Sequence, residues 1–154
     1  MQWAGPLSGK LVLEVGSDDG TYLNAFAEAG ADVLGIDPHR EPKLPLHPRA
    51  TYLKQRVQDL NGDWTHFDLI HVGEVLEHVD DPDEILRCLT TRWPGATVLL
   101  SVPNFWARDH QRTYSWDTFN QQLSPYVERQ DCATVSWEYQ NPPGVFQWYM
   151  VKGR

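Results

Sequence analysis

The sequence predicts an α/β three-layer sandwich around a mostly parallel, seven-stranded sheet that ends in an antiparallel hairpin. Three observations predict this fold. Short apolar runs alternate with helical patterns, as expected for parallel strands joined by crossover helices. The first apolar run, residues 11–15, leads into a loop framed by Gly16 and Gly20. Two alternating runs, residues 133–139 and 145–151, lie close together near the C-terminus and predict the hairpin.

Residues 11–36 predict a strand–helix–strand unit. The strand at 11–15 precedes a helix that begins at Thr21, and Gly30 is placed to end that helix. The apolar residues of the helix recur at helical spacing: Tyr22, Leu23, Phe26 and Ala27. Residues 31–36 form the next strand. The short connections mean that the two strands are parallel and that the crossover is right-handed.

The stretch from residue 38 to residue 48 interrupts this alternation. It holds four prolines in eleven residues, which exclude a regular helix and predict an extended surface loop. The apolar runs after it predict the third, fourth and fifth strands at residues 51–54, 67–72 and 96–102. Before the fifth strand, Asp81 and Pro82 predict a capped helix start. The buried face of that helix is predicted to consist of Ile85, Leu86 and Leu89.

The last third of the chain predicts a short helix and then the two hairpin strands. The helix covers residues 117–123 and is capped by Ser115 or Asp117. The sequence Asn-Pro-Pro-Gly at 141–144 forms the turn between the strands. Because no internal repeat or linker is found, residues 1–154 are expected to form one domain.

Composition and charge narrow the function classes. The chain carries a net charge of −8, so a nucleic-acid backbone would be repelled and nucleic acid is disfavoured as a partner. No apolar run approaches the roughly 18 residues of a membrane helix, and no membrane partner is expected. Cys88 and Cys132 fit no metal-ligand spacing, so we expect free thiols and no metal site. The N-terminus lacks a secretion-signal pattern, so the expected compartment is the cytoplasm.

Polar and small residues cluster at four predicted strand ends, where open α/β sheets bind ligands. The loop after the first strand carries Asp18 and Asp19 at the entrance to the helix. A pyrophosphate would be repelled there, whereas a cationic ligand would be attracted. Asp37 lies about 20 residues after Gly16 and offers two acceptor oxygens to a ribose diol. The alternative is that Asp37 caps a helix or is solvated at the end of a strand.

Four segments resemble class I S-adenosylmethionine-dependent methyltransferases, which have a Rossmann-like fold. They are LVLEVGSDDGTYLNAFAEAGADVLGID at 11–37, FDLIHVGEVLEHVDDPDEIL at 67–86, SVPN at 101–104 and HQRTYSWDTF at 110–119. The similarity is to the small-molecule and sugar-pathway branch, whose first motif often reads EIGSNDG. The resemblance implies that the chain binds S-adenosyl-L-methionine and transfers a methyl group to a small-molecule or sugar-like acceptor.

The resemblance also implies roles for single residues. The loop around the methionine moiety would consist of Glu14, Gly16, Ser17, Asp18 and Gly20. The ribose would bind to Asp37, and the adenine would lie near Pro38 and the Val57 backbone. Gly73 and Glu74 would border the sulfonium.

Catalytic candidates lie on the later segments. They are His78, His110 and Tyr114, with His71 as a further candidate base. Phe105, Trp106 and Trp116 are candidate aromatic walls. For His78, two roles are open: it serves as a general base for a hydroxyl, or it holds a loop.

Three departures from the family pattern leave alternatives open. Arg56 takes the place where members often carry an adenine-binding Asp, so Val57 or Asp59 would have to serve instead. The proline-rich stretch replaces a helix. Few residues precede the first strand, which leaves an open site, a lid from a partner subunit or oligomer, or a restricted function. The alternative function is a non-catalytic binding or scaffold module, whereas a nicotinamide-dependent dehydrogenase is disfavoured by the missing G-x-G-x-x-G and the acidic turn.

Overall fold

In a computed structural model, residues 4–140 and 143–154 are described, with side chains for all of these except 137–140 and 143–146. Seven strands run through this part of the chain: β1 (Leu11–Val15), β2 (Asp32–Ile36), β3 (Ala50–Leu53), β4 (Leu69–Gly73), β5 (Thr97–Pro103), β6 (Arg129–Gln140) and β7 (Pro143–Gly153). The α-helices are α1 (Thr21–Glu28), α2 (Pro82–Arg92) and α3 (Trp116–Leu123). A 3-10 turn occupies Val57–Asp59.

The strands form one sheet in the order β3-β2-β1-β4-β5-β7-β6. β1 pairs in parallel with β2 and β4, and the pairs β2–β3 and β4–β5 are parallel as well. β7 is antiparallel to both β5 and β6. The predicted mostly parallel sheet with a terminal hairpin is therefore confirmed. The strand order reverses between β1 and β4, which opens a crevice at the carboxyl ends of these two strands.

β1 lies at the centre because its side chains are buried on both faces of the sheet. On one face, Leu13 and Val15 belong to a core that includes residues of α2 and α3. On the other face, Val12 belongs to a second core with Leu23 and Phe26 of α1. None of these five side chains is more than 5% exposed. Each contributes about 1.5–3 kcal/mol through burial, so the loop after β1 starts from a firmly held strand.

The starts of α2 and α3 follow from local capping signals. Asp81 caps α2, because its Oδ1 accepts a 3.0 Å hydrogen bond from the Glu84 N–H, as predicted. α3 begins at Trp116 and is capped by Ser115, which decides against Asp117 as the cap. The predicted buried face of α2 is confirmed at Ile85, Leu86 and Leu89.

α1 is the helix into which the glycine loop leads. It ends where predicted, since Gly30 adopts a φ of +95° and its N–H bonds to the Ala27 carbonyl at 3.0 Å. The buried residues of α1 are Leu23, Phe26 and Ala27. Tyr22, one turn before Phe26, also contacts the His71 ring of β4, at a centroid distance of 5.2 Å. It is nevertheless 57% exposed, because it lies at the edge of the face that packs on the sheet.

Residues 38–48 contain no helix or strand, which confirms the predicted loop. The loop is tied to its surroundings by hydrogen bonds. The N–H groups of Lys43 and Leu44 donate to the Asp19 carbonyl at 3.1 and 3.4 Å. The Asn24 side chain donates to the Pro45 carbonyl at 3.1 Å. The proline-rich loop therefore packs onto the glycine loop and α1.

Several element bounds differ from the prediction. β6 and β7 are longer, with 12 and 11 residues. β5 continues to Pro103, which pairs with Trp148 of β7 as the last residue of its strand, where the missing N–H of proline is tolerated. The 3-10 turn at Val57–Asp59 was not predicted from the sequence. The predicted turn at 141–144 includes residues 141 and 142, which lie outside the described residues. Within the described ranges, no helix has the length and apolarity to cross a membrane.

Candidate functional site

A cavity of about 670 Å³ opens at the carboxyl ends of β1, β2 and β4. The predicted site residues that line it are Gly16, Asp18, Asp37, Pro38, Val57, Glu74 and His78. Much of the remaining wall comes from residues 55–58 and from the segment 74–81 that joins β4 to α2. The volume is in the range of small-molecule sites, and the position is where the strand order reverses.

Gly16 begins the loop after β1 and allows a close approach to the cavity wall. It adopts a φ of +77°, and a Cβ built there would lie 2.5 Å from Cγ2 of Val75. Its N–H and that of Ser17 both donate to the Ile36 carbonyl, at 2.8 and 3.2 Å. A residue with a side chain would have to displace Val75 and would be strained, so the loop geometry requires glycine at this place.

The two loop aspartates have different roles. Asp18 lines the cavity, and its Oδ1 accepts a 2.9 Å bond from Nη1 of Arg40. Asp19 does not line the cavity. Its Oδ1 accepts from the Thr21 N–H at 2.9 Å, and hydrogen bonds from the Thr21 side chain and backbone lower the pKa of Asp19. The expectation that both carboxylates face the ligand is therefore corrected. Only Asp18 lines the cavity, where it pairs with Arg40, whereas Asp19 accepts a hydrogen bond at the start of α1.

Asp37 is buried and holds two segments together. Its Oδ1 accepts from the N–H groups of His39 and Arg40, both at 2.8 Å, and its Oδ2 accepts from the Asp18 N–H at 3.2 Å. Neither alternative for Asp37 matches the structure, because the side chain is buried and caps a turn in the loop 38–48, where there is no helix. A carboxylate oxygen has two lone pairs, so Oδ2 can accept another donor from the cavity that Asp37 lines. Turn capping and ligand binding are compatible.

Four predicted cofactor residues lie behind or beside the cavity and do not line it: Glu14, Ser17, Gly20 and Gly73. Glu14 and Ser17 are only 2% and 4% exposed, and Oε2 of Glu14 and Oγ of Ser17 have no hydrogen-bond partner. A Cβ on Gly20 would lie 3.0 Å from Pro42, and one on Gly73 would lie 2.7 Å from the His71 ring. These glycines therefore allow neighbouring segments to pack, while the two orphaned oxygens are free to accept a donor.

Glu74 lines the cavity directly after β4. Its Oε1 accepts a 3.0 Å bond from the Ser101 hydroxyl, and the Trp148 indole also donates to this carboxyl group. Burial raises the pKa of Glu74 above its ordinary value. Its φ is +56°, an unusual backbone conformation for a residue with a side chain. β5 and β7 thus position a carboxyl group next to the glycine loop.

The 3-10 turn forms the wall at which the resemblance places adenine. Val57 lines the cavity, as do Arg56 and Gln58. Asp59 does not line the cavity, and both of its oxygens pair with the Arg56 guanidinium at 2.8 and 3.0 Å. Of the two alternatives for adenine recognition, the geometry favours Val57 over Asp59.

His78 and His110 lie side by side, with ring centroids 4.8 Å apart. Nδ1 of His78 is 3.0 Å from the Asp109 carbonyl, and Nδ1 of His110 is 3.1 Å from the Phe105 carbonyl. Because a carbonyl only accepts, Nδ1 is the donor in each contact, and in a neutral ring Nε2 is then the acceptor nitrogen. His78 lines the cavity, whereas His110 is buried behind it.

Glu77 is a polar residue of this region that the sequence analysis missed. It is fully buried, both carboxyl oxygens lack a hydrogen-bond partner, and Oε1 lies 3.8 Å from Nε2 of His78. Burial raises the pKa of Glu77 to about 8. Glu77, His78 and His110 each bring one ligand atom within 4.8 Å of the others, and two imidazoles with a carboxylate could hold a transition-metal ion. In the sequence, Glu77 directly precedes the predicted His78 in the segment VLEH at 75–78, which is the signal that points to this cluster.

Tyr114 does not belong to the cavity, so the catalytic role predicted for it does not fit the structure. Its ring packs in the core against Phe119, and its hydroxyl donates to Oε1 of Gln122 at 3.1 Å. Burial raises the pKa of Tyr114 to about 12, so the phenol keeps its proton near neutral pH and is not available as a base. His71 is likewise enclosed by Tyr22 and Phe26 and does not line the cavity.

The three candidate aromatic residues for the acceptor wall lie in different surroundings. Trp116 packs in the core against Phe119 and Tyr149. Trp106 is 65% exposed, and Phe105 lies 6.0 Å from the His110 ring. None of the three lines the cavity. Trp116 is therefore dropped as a candidate wall of the acceptor site, because its ring is packed against the core. For Phe105 and Trp106 this role stays a prediction.

A profile of the methyltransferase-domain family matches residues 3–150. The chain belongs to this family. The methyltransferase domain is similar to a ubiquinone biosynthesis O-methyltransferase from Bordetella avium (strain 197N), with 36% identity over 110 residues that cover 66% of this chain and 46% of the relative. It thus spans about half the length of the curated relatives that it matches.

Solved structures share the fold of this methyltransferase domain. An S-adenosylmethionine-dependent methyltransferase from Mesorhizobium loti has a TM-score of 0.69 and 17% identity, over 97% of this chain and 92% of that chain. The 1,6-didemethyltoxoflavin-N1-methyltransferase from Burkholderia thailandensis, with bound 1,6-didemethyltoxoflavin and S-adenosylhomocysteine, has a TM-score of 0.75 and 18% identity, over 96% and 72%. These likenesses confirm the Rossmann-like architecture predicted from the sequence.

Proposed function

We propose that this methyltransferase domain binds S-adenosyl-L-methionine in the cavity and directs its methyl group to a small-molecule or sugar-like acceptor. One observation carries the proposal: the buried Asp37 carboxylate meets the glycine loop and the cavity at the point where the strand order reverses. A ribose diol matches the remaining acceptor capacity of Asp37.

The polar groups around the cavity fit such a cofactor. Asp37 would hold the ribose, and Val57 would lie beside the adenine. Near the glycine loop, the orphaned oxygens of Glu14 and Ser17 could accept hydrogen bonds that an amino acid moiety or a bridging water would donate. Glu74 supplies a further carboxyl group on the cavity wall directly after β4. The cavity volume of about 670 Å³ is in the range of sites that hold a whole small molecule.

When bound, the cofactor supplies a methyl group that is activated by the positive charge on its sulfur. The protein then has to align the acceptor and exclude water. His78 is the candidate base for a hydroxyl acceptor, since it lines the cavity and its Nδ1 is fixed by the Asp109 carbonyl, so that Nε2 is the acceptor nitrogen of the neutral ring. His110 packs against His78 and supports its orientation.

The comparisons support the acceptor class without selecting the atom that receives the methyl group. The curated relative is named for O-methylation in ubiquinone biosynthesis, and the Burkholderia enzyme for N1-methylation of a small molecule. We propose a small-molecule acceptor on this basis. A partner subunit or oligomer that covers the open cavity is part of the same proposal. A cytoplasmic location is proposed as well, because Cys88 and Cys132 are free thiols.

Calorimetric titration with S-adenosylmethionine tests the cofactor claim. Asp37→Asn keeps an acceptor oxygen for the turn but replaces the other by an amide donor, so we expect at least a tenfold loss of affinity, about 1.4 kcal/mol. Asp63→Ala, at an exposed aspartate, is the control and should bind normally. Absence of binding by the unmodified chain would refute the proposal. Binding without methyl transfer across a panel of hydroxyl and amine acceptors would favour the scaffold alternative.

A further inference from the structure

The segment from Glu74 to Asp81 forms one wall of the cavity but has no helix or strand of its own. Six of its eight residues line the cavity: Glu74, Val75, His78, Val79, Asp80 and Asp81. One internal backbone bond is formed, from the His78 N–H to the Val75 carbonyl. The shape of this wall must therefore be set by contacts from elsewhere in the chain.

Two adjacent residues, Gln111 and Arg112, supply these contacts. The five consecutive carbonyl groups of residues 76–80 all accept hydrogen bonds from them. The Gln111 backbone N–H donates to Glu77 O at 2.8 Å, and its side-chain amide donates to His78 O at 2.9 Å.

Arg112 accounts for the other three carbonyls. Its Nη1 donates to Leu76 O at 2.7 Å and to Val79 O at 2.5 Å, and its Nη2 donates to Asp80 O at 3.0 Å. The planar guanidinium presents several donors at fixed angles, which a lysine ammonium cannot reproduce. Hydrogen bonds from a charged donor are also stronger than those between neutral groups.

We propose that Gln111 and Arg112 are positioning residues, which set the backbone of residues 74–81 so that Glu74 and His78 face the cofactor site. The role rests on the proposed function. The geometry gives the reason: a change in any of the five carbonyl positions would move the wall that carries both side chains. Gln111 also lines the cavity itself. The pair Gln111 and Arg112, called the clamp below, therefore lies directly beside the site.

Binding of S-adenosylhomocysteine, measured by calorimetry, tests the role in a graded series. Arg112→Lys keeps the charge but cannot hold three carbonyls, and should raise the Kd about tenfold. Gln111→Ala keeps its backbone bond and loses one side-chain bond, so the Kd should rise only about twofold to threefold. Arg87→Lys, at an exposed arginine of α2, is the matched control and should leave the Kd unchanged.

Two further measurements separate positioning from general destabilisation. Hydrogen exchange of the amides in residues 74–81 should accelerate in Arg112→Lys, while the amides of β1 and α1 keep their rates. Leu7→Ala, in the core on the α1 face, should lower the Tm but leave the Kd as it is. Equal losses of affinity in Leu7→Ala and Arg112→Lys at matched destabilisation would overturn the inference.

The outcomes also separate this inference from the proposed function. If the unmodified chain does not bind S-adenosylhomocysteine, the proposed function fails, and the positioning role fails with it. If the unmodified chain binds and Arg112→Lys binds equally well, only the positioning role is overturned.

Discussion

Asp18 and Arg40 form an ion pair at the rim of the cavity, with 2.9 Å between Oδ1 and Nη1. Asp37 contributes to the same arrangement, because it accepts from the backbone N–H groups of both residues. The negative charge that the sequence suggested as an attraction for a cationic ligand is therefore partly balanced by a cation that also lines the cavity.

Removal of that cation should change the selectivity for charge. In Arg40→Gln, S-adenosylmethionine should gain about twofold to fivefold in affinity relative to S-adenosylhomocysteine, since only the former carries the sulfonium charge. The difference should shrink at high salt because the pair is exposed. Calorimetry with both ligands measures it. Arg49→Gln removes the Arg49–Asp32 pair instead and should leave the ratio unchanged.

A side chain at Gly16 should destabilise the fold. Gly16→Ala introduces a Cβ 2.5 Å from Val75 Cγ2 at a φ of +77°, and we expect a loss of about 1–3 kcal/mol in the free energy of unfolding. Urea denaturation measures the loss. Gly95→Ala is the matched control, because nothing lies within 4 Å of a Cβ at that place. Equal stability of the two variants would contradict the close packing at Gly16.

Glu77 should make stability depend on pH. The folded state holds the Glu77 proton more tightly than the unfolded chain, since the pKa rises from 4.5 to about 8. Its contribution is therefore most favourable below pH 4.5 and is lost as the pH rises toward 8. Glu77→Gln removes this dependence. The free energy of unfolding of the variant minus that of the unmodified chain should therefore rise by about 2–3 kcal/mol between pH 5.5 and pH 8.5.

The measurement for Glu77 is urea denaturation at both pH values in the presence of a chelator, which keeps metal ions from binding beside the carboxyl group. Glu28→Gln, at an exposed position of α1, serves as the control. A stability difference between Glu77→Gln and the unmodified chain that is independent of pH would show that Glu77 titrates as an ordinary carboxyl group.

Tyr114→Phe should separate packing from catalysis. The change removes the hydrogen bond to Gln122 and should cost about 0.5–1.5 kcal/mol of stability. At saturating substrates, kcat should stay within about twofold, because the phenol is buried away from the cavity. Steady-state kinetics with any accepted substrate provides the test, and a loss of more than about tenfold in kcat would restore Tyr114 as a catalytic candidate.

Local signals in the sequence predicted the fold well. Asp81 with Pro82, Gly30 and the run of β1 each carry their structural preference within a few residues, so the elements near them were found. Asp18 and Asp19 show the limit. They are adjacent and chemically identical, and only the loop conformation decides that one reaches the cavity while the other holds α1.

The clamp and the buried cluster could not be predicted for a different reason. Arg112 bonds to the carbonyls of Leu76, Val79 and Asp80 across more than thirty positions of sequence, and no periodicity links them. In the sequence, Glu77 looks like any solvent-exposed glutamate. Only its complete burial in the folded chain raises its pKa. Such relationships arise from the packing of the folded chain.

Within the described residues, the left-handed backbone region is occupied by side-chain-bearing residues at only two positions, Asp18 with a φ of +40° and Glu74 with a φ of +56°. Both line the cavity, from the loop after β1 and the segment after β4. Each conformation costs on the order of 1 kcal/mol that glycine would avoid. Selection for heat resistance alone would therefore favour glycine at these two places, and the most stable descendants of this sequence would lose two carboxylates from the proposed cofactor site.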